Sequence, residues 1–379
     1  MRFENALVYG PDFRFHKGGF SVENGRFADV LAETKTQTID LKGAYVIPGL
    51  VDIHNHGNSG HDFSDGDAEG LTIIARYLAK HGVTSFAPAS VTLPEDVLTR
   101  AFANAAAFAK NTPEGVSVLR GIHMEGPFFA EKKKGAQNGA YLQKPDIEMF
   151  QRLNEASEGL IRIADIAPEL PGALDYIRAV SRVCRVSIAH TEANYAQSKA
   201  AIAAGVTHIT HLFNAMPSFL HREPGVVGAA AEEPGVSAEL IGDGMHVHES
   251  VVRATLKMFG AERIILISDA LSCCGMPNGN YMLGGQKIIL DGTVARLADA
   301  PETLAGSANN LFGIFRIAIS MGIPAEDAVR MASYNPAKAI GAEGEIGSIE
   351  NGKRADFLVL DKDFALKQVY LNGSALPND

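Results

Sequence analysis

Cysteine is scarce: Cys184, Cys273 and Cys274 are the three in 379 residues. So few, and an odd number, cannot build a disulfide framework and fit a reducing compartment. No run approaches the roughly 18–20 apolar residues of a membrane span. No long apolar stretch follows the opening MRFENALVYG, so a signal peptide is not expected. A cytoplasmic protein with no membrane partner is the expectation. Low-complexity tracts are absent and 46% of residues are hydrophobic, which excludes a disordered chain. Basic charge is in deficit, with a formal net charge of −10, and a nucleic-acid partner would need a basic face. The length suggests two or three domains, although a barrel of about 250 residues stands as one.

What is present divides the chain by texture. The first forty-odd residues read as short strands and turns (ENALVYG, GGFSVENGRFADV, TQTIDLKGAYVIPG), with Asn24-Gly25 as a hairpin signal. The closing stretch repeats this texture, with Asn-Gly at 351–352 and 372–373. One small β-sandwich from both termini, 1–47 plus 345–379, is expected, interrupted by an inserted domain over 48–344. That middle alternates apolar runs with amphipathic stretches, the pattern of parallel βα units. Strands are expected at 46–53, 83–89, 116–124, 160–166, 184–189, 206–212, 236–242 and 263–268. Helical patterns fall at 67–80, 94–110, 170–182, 193–204 and 249–260, with Asp67, Pro94 and Glu249 at starts and Gly82, Gly205 and Gly260 past ends. Eight such units make an α/β fold, a (β/α)8 TIM-type barrel. An open doubly wound sheet is the alternative, and no GxGxxG follows the first strand to support it.

Barrel enzymes build their sites at the C-terminal strand ends. Those positions hold Asp52-Ile53-His54-Asn55-His56, His123-Met124-Glu125, His190, His211 and Asp269. His54 and His56 are two apart, so on an extended strand they face one side. Alone they read equally as surface or capping histidines. Joined by Glu125, His190 and His211, they make a nitrogen–oxygen set suited to Zn²⁺ and neighbouring divalent ions. Asp269 reads either as a helix N-cap or as the group that takes a water's proton and delivers it to a leaving group.

His16, His81 and His248 read as solvated or helix-end residues, and His123 and His208 as buried supports. His61 and His221 stay open. The irregular stretch 210–229 offers Asn214 and Arg222 to an anion, though Arg222 alone also fits a surface salt bridge. His246 lies beyond the seventh strand. Segment 299–310 reads as a loop of small residues and free amides before a helix. Lys132-Lys133-Lys134 reads as a solvated face, and Cys273-Cys274 as packing.

Assembled, these residues make the chain resemble the N-acetylglucosamine-6-phosphate deacetylases of the amidohydrolase superfamily. PGLVDIHNHG (48–57), HMEGPF (123–128), IAPE (166–169), AHTEA (189–193), THLFNAM (210–216), HREPG (221–225), DGMHV (243–247), SDA (268–270), LAGS (304–307) and GSIENGKRADFLVLD (347–361) stand in the order of that family. The resemblance implies Glu125, His190 and His211 as main metal ligands, and His54 and His56 as ligands of a second ion. It implies Asp269 as catalytic acid/base and His246 beside the amide and sugar hydroxyls. Gln137, Asn214, the Ala215 backbone and Leu304 are implied as substrate contacts. Arg222 matches an arginine reaching the neighbouring subunit's phosphate, hence a homodimer. One or two divalent ions per subunit follow, Zn²⁺ first and Fe²⁺ as an alternative.

Two departures stand out: Gln137 where some members carry histidine, and His221 in place of a glycine before Arg222. The expected reaction is hydrolysis of the acetamide of N-acetylglucosamine 6-phosphate, with the galacto epimer as the alternative. A cyclic-amide hydrolase would need a lysine in the fourth strand, and LIRIADIAPE has none. A non-catalytic sugar-phosphate binder would have lost ligands or Asp269, and none is missing. A deaminase would leave the phosphate loop without a purpose.

Overall fold

The protein is described from a computed structural model, which covers residues 1–28 and 37–377. The ends of two expected strand segments, 29–30 and 36, lie outside the described residues, as do 378–379.

Eight parallel strands form the barrel: β1 (Leu50–Asp52), β2 (Val83–Phe86), β3 (Val118–Leu119, resuming over Ile122–Met124), β4 (Ile161–Ile166), β5 (Arg185–Ile188), β6 (Val206–Ile209), β7 (Ser237–Ile241) and β8 (Ile264–Ile267). Neighbours in sequence pair in order from β1 to β8, with register shifts in the β1–β2, β3–β4 and β5–β6 pairs, and an Ala89–His123 bridge strengthens the β2–β3 side. The circle closes where Asp269 N–H donates to His54 O at 2.9 Å. The Ser268 hydroxyl, 2.6 Å from the buried Asp52 carboxylate, reinforces that seam. Strands are shorter than the apolar runs predict. Pro88 has no N–H to continue β2, and β3 is interrupted at Arg120-Gly121.

Helices follow the strands: α1 (Ala68–Lys80), α2 (Glu95–Lys110), α3 (Ile147–Ala156), α4 (Ala173–Val180), α5 (Tyr195–Ala204), α6 (Gly225–Ala231), α7 (Glu249–Phe259) and α8 (Leu311–Ser320). Two more, α9 (Ala325–Ala332) and α10 (Tyr334–Ala339), pack against β8 and β1. The local causes are ordinary. Asp67 caps α1 by accepting from Glu69 and Gly70 N–H, and Leu71, Ile74, Ala75 and Leu78 give it one buried face. Helix α4 starts three residues later than its pattern because Gly172, at φ 86°, occupies its N-cap. The irregular 210–229 stretch contains α6.

The termini form one eight-stranded sheet, with Tyr45–Pro48 hydrogen-bonded between Arg2–Tyr9 and Phe357–Leu360. It curls until its edge meets itself: Phe27 N–H donates to Lys353 O, and Arg26 bridges Arg354. The two faces enclose a separate aromatic core, in which Phe357 stacks on Tyr370 at 4.3 Å and meets Phe3, Phe20 and Phe27.

Helices α3, α6, α9 and α10 escaped the sequence reading, and so did a sheet. Between β8 and α8 the strands Gly279–Leu283, Gln286–Asp291, Val294–Leu297 and Ala300–Ser307 form an antiparallel meander. The segment 299–310, expected as a loop, is therefore mostly a strand, ended by Asn310 capping α8. The meander has a small core of its own, including Leu271, Cys273, Leu283 and Ile288, and sits at the barrel mouth.

Candidate active site

The C-terminal strand ends deliver the expected side chains to one place. His54 and His56 follow β1, Glu125 follows β3, His190 follows β5, His211 follows β6 and Asp269 follows β8; all are buried. His190, His211 and Asp269 take φ values of 45°, 30° and 47°. A non-glycine residue in that left-handed region costs of order 1–3 kcal/mol, and such strain gathers at functional sites. At Asp269 the neighbouring backbone enforces it, since its N–H is taken by His54 O and its carbonyl by Ser307 N–H. No helix starts there, so the helix N-cap reading of Asp269 falls.

Glu125 Oε1 lies 3.1 Å from His190 Nε2 and 3.2 Å from His211 Nε2, and the two nitrogens are 3.1 Å apart. A tetrahedral ion with bonds of 2.0–2.1 Å sets its ligand atoms about 3.3 Å apart, so this triangle is of ion-binding size. A second group, His54, His56 and Asp269, stands beside it. Asp269 Oδ1 is 3.2 Å from His56 Nε2 and 3.6 Å from His54 Nε2, while Glu125 reaches toward both histidines at 3.5 and 3.7 Å.

The outer partners point the rings correctly. His190 Nδ1 is 2.8 Å from Lys133 O, and His56 Nδ1 is 3.2 Å from Ala89 O. A carbonyl can only accept, so each Nδ1 carries the proton and each Nε2 is left bare for an ion. His54 Nδ1 faces Glu239 Oε2 at 2.9 Å, and its buried Nε2 has no hydrogen-bond partner. The residues present fit one or two divalent ions.

Electrostatics agree with an anionic cradle. Burial pushes the Glu125 carboxyl up, but its close contacts with His190 and His211 and the electrostatic influence of His54 and His56 outweigh it and hold it well below the carboxylate range. Burial likewise raises Asp269, and the His56 contact with the two imidazole charges brings it net below its ordinary value.

Behind the ligands runs a buried network that sequence reasoning half saw. His123 and His208 are supports, as expected: His123 Nε2 contacts Asp165 at 2.9 Å, and His208 Nε2 contacts Glu239 at 3.0 Å. Their acidic partners Asp165 and Glu239, and Asp52 at the barrel seam, were missed. The available signal was a lone carboxylate inside an apolar strand, as in VSAELIG and LIRIADI.

A cavity of about 280 Å³ opens over Glu125, His190, His211 and Asp269, flanked by Gln137, Asn214, Ala215, His246 and Leu304. His246 is held by Asp243, another residue the sequence did not single out. Oδ2 of Asp243 lies 2.8 Å from His246 Nδ1, and Oδ1 accepts from the Met245 and His246 N–H groups. Nε2 of His246 is thus the atom left for a ligand. Arg222 is exposed, makes no ion pair among the described residues, and does not line its own chain's cavity. Lys133 is not simply solvated: its Nζ donates to Met216 O at 3.2 Å while its carbonyl holds His190. Cys273 and Cys274 are buried packing residues. A larger hollow of about 730 Å³, along the terminal sheet beside Arg2, Glu4 and Lys17, is lined by no histidine.

Known proteins share this architecture. The sequence pattern of the amidohydrolase family matches residues 45–376. An N-acetylglucosamine-6-phosphate deacetylase of Vibrio furnissii is 35% identical over 93% of this chain and 88% of its own. An N-acetylgalactosamine-6-phosphate deacetylase of Escherichia coli O157:H7 is 34% identical over 86% of each. A solved structure of N-acetyl-D-glucosamine-6-phosphate deacetylase from Mycobacterium smegmatis, in complex with N-acetyl-D-glucosamine-6-phosphate, superposes with a TM-score of 0.91 at 33% identity, covering 100% of this chain and 98% of that one. With the barrel, the strand-end histidines and carboxylates and these relatives in agreement, the chain belongs to the amidohydrolase family.

Proposed function

We propose that the protein is a metal-dependent deacetylase that hydrolyses the acetamide of N-acetylglucosamine 6-phosphate, giving acetate and glucosamine 6-phosphate in amino-sugar catabolism or cell-wall recycling. The carrying observation is the Glu125–His190–His211 triangle, 3.1–3.2 Å on each side, with Asp269 at the same cavity.

Glu125, His190 and His211 would hold one ion, and His54 and His56 would serve a second. Zn²⁺ suits this donor set best; Fe²⁺ is the alternative. When bound, such an ion lowers the pKa of a water towards about 7 and polarises a carbonyl. Asp269 takes the proton of the attacking water and returns it to the departing amine. His246, locked by Asp243, holds the acetamide end and a sugar hydroxyl. The turn after β6 alternates hands, with His211, Phe213 and Ala215 at positive φ, a backbone form that presents N–H groups to anions. Asn214 and the Ala215 backbone receive the phosphate there, with Leu304 and Gln137 against the sugar. Arg222, exposed beside Phe219 and Leu220, reaches the phosphate of a second subunit in a cytoplasmic homodimer.

The Escherichia coli relative named for the galacto sugar keeps that epimer as the second reading. Asp269→Asn tests the mechanism. Acetate release falls at least about 1,000-fold, the upper range of general acid–base catalysis, while zinc content and the melting temperature stay near wild type. A variant that still turns over removes Asp269 from the chemistry.

A further inference from the structure

Glu125 lies within 3.7 Å of four imidazole nitrogens, those of His54, His56, His190 and His211. The rotation of its carboxylate therefore decides which nitrogens each oxygen serves. We propose that Gln137 is a positioning residue that fixes the Glu125 carboxylate plane and so sets how tightly the mouth holds its metal. The inference rests on the metal-site reading above.

The geometry is specific. Gln137 is buried, its Oε1 accepts from Thr92 N–H at 2.7 Å, and its Nε2 donates to Glu125 Oε2 at 2.7 Å. A backbone N–H can only donate and a carboxylate can only accept, so the amide has one workable orientation. With Oε2 anchored, Oε1 is turned to His190 and His211. The loop carrying Gln137 is itself pinned. Its N–H donates to Lys134 O, Asn138 Nδ2 donates to Gly284 O at 3.1 Å, and Gln286 donates to Ala136 O. Both acceptors of those side-chain bonds lie at the contact between this loop and the meander, so the meander holds the loop that holds the ligand. Substrate contact, the role the resemblance implied, is left to the second Nε2 hydrogen alone.

The test measures zinc affinity of the full-length protein without substrate, by competition with a chromophoric chelator, for wild type, Gln137→Met and Gln137→His. Loss of an outer partner lowers metal affinity roughly 10–100-fold. Gln137→Met is expected to show that loss. Gln137→His, which can accept from Thr92 and donate to Glu125, is expected to retain most of the affinity, and it carries the test if the methionine variant does not fold. Wild-type affinity in Gln137→Met, or lost affinity in a folded Gln137→His, overturns the proposal. Wild-type protein that binds zinc but releases no acetate overturns the functional reading and leaves this comparison standing. Protein that binds no zinc overturns both.

Discussion

Glu239 shows how much of the site lies one layer behind the ligands. It is fully buried, and burial pushes its carboxyl up, yet the charges of His54 and His123 and the bonds from His208 and His54 hold it well below the usual range. One oxygen orients His54 and the other His208. Glu239→Gln keeps the shape but weakens the hold on the His54 Nδ1 proton. Zinc affinity on the His54–His56 side is expected to fall about 10–100-fold, read as a lost or weakened second ion in titration calorimetry. Unchanged binding would show that His54 is oriented by packing alone. The site residues themselves were legible because strand-end position and residue type coincide at His54, His56, Glu125, His190, His211 and Asp269. Glu239 and Asp243 were not, because their chemistry is exerted through other side chains.

At the scale of elements, barrel units declared themselves through alternating apolar runs and caps such as Asp67. The meander did not, although Gly284-Gly285 and Gly292-Thr293 are hairpin turn pairs that now mark two of its turns. Its short strands bury little until they close over the mouth, so their hydrophobic pattern is weak. Its last strand reaches the site through Gly306, at φ 123°. A Cβ there would stand 3.0 Å from Asp269 O and 2.9 Å from Leu271 Cδ2. Gly306→Ala therefore moves Asp269. Steady-state kinetics should show kcat lowered up to about 100-fold, the scale of an ångström misplacement, with KM little altered. A variant with wild-type kcat would show that Asp269 does not depend on this strand.

Across the whole molecule, the scarcity of cysteine becomes a chemical prediction. Burial pushes the Cys273 thiol up to about 11, and Cys184 and Cys274 up to about 12. A raised thiol pKa leaves the unreactive protonated form dominant until pH approaches those values. Native protein at pH 8 should react slowly with a thiol reagent, and denatured protein should release three thiols per chain. Rapid native labelling would contradict the burial. The net charge of −10 argues against a nucleic-acid partner but says nothing of an anionic substrate, because the positive field a phosphate needs is local. Both termini meet in one sheet, which the matching Asn-Gly textures at 24–25 and 351–352 made readable; its single curled course became visible only from the hydrogen bonds joining Arg26 and Phe27 to residues 353 and 354.

The central claim is most directly tested by acetate release from zinc-loaded protein offered N-acetylglucosamine 6-phosphate, its galacto epimer and the unphosphorylated sugar. A phosphate held by one charge-assisted hydrogen bond or more is worth about 1.5–3 kcal/mol each. The account therefore predicts a kcat/KM at least about 10-fold higher with the phosphate than without it, and higher for the gluco than for the galacto sugar. Equal rates with and without the phosphate, or no acetate from any of the three, would contradict it.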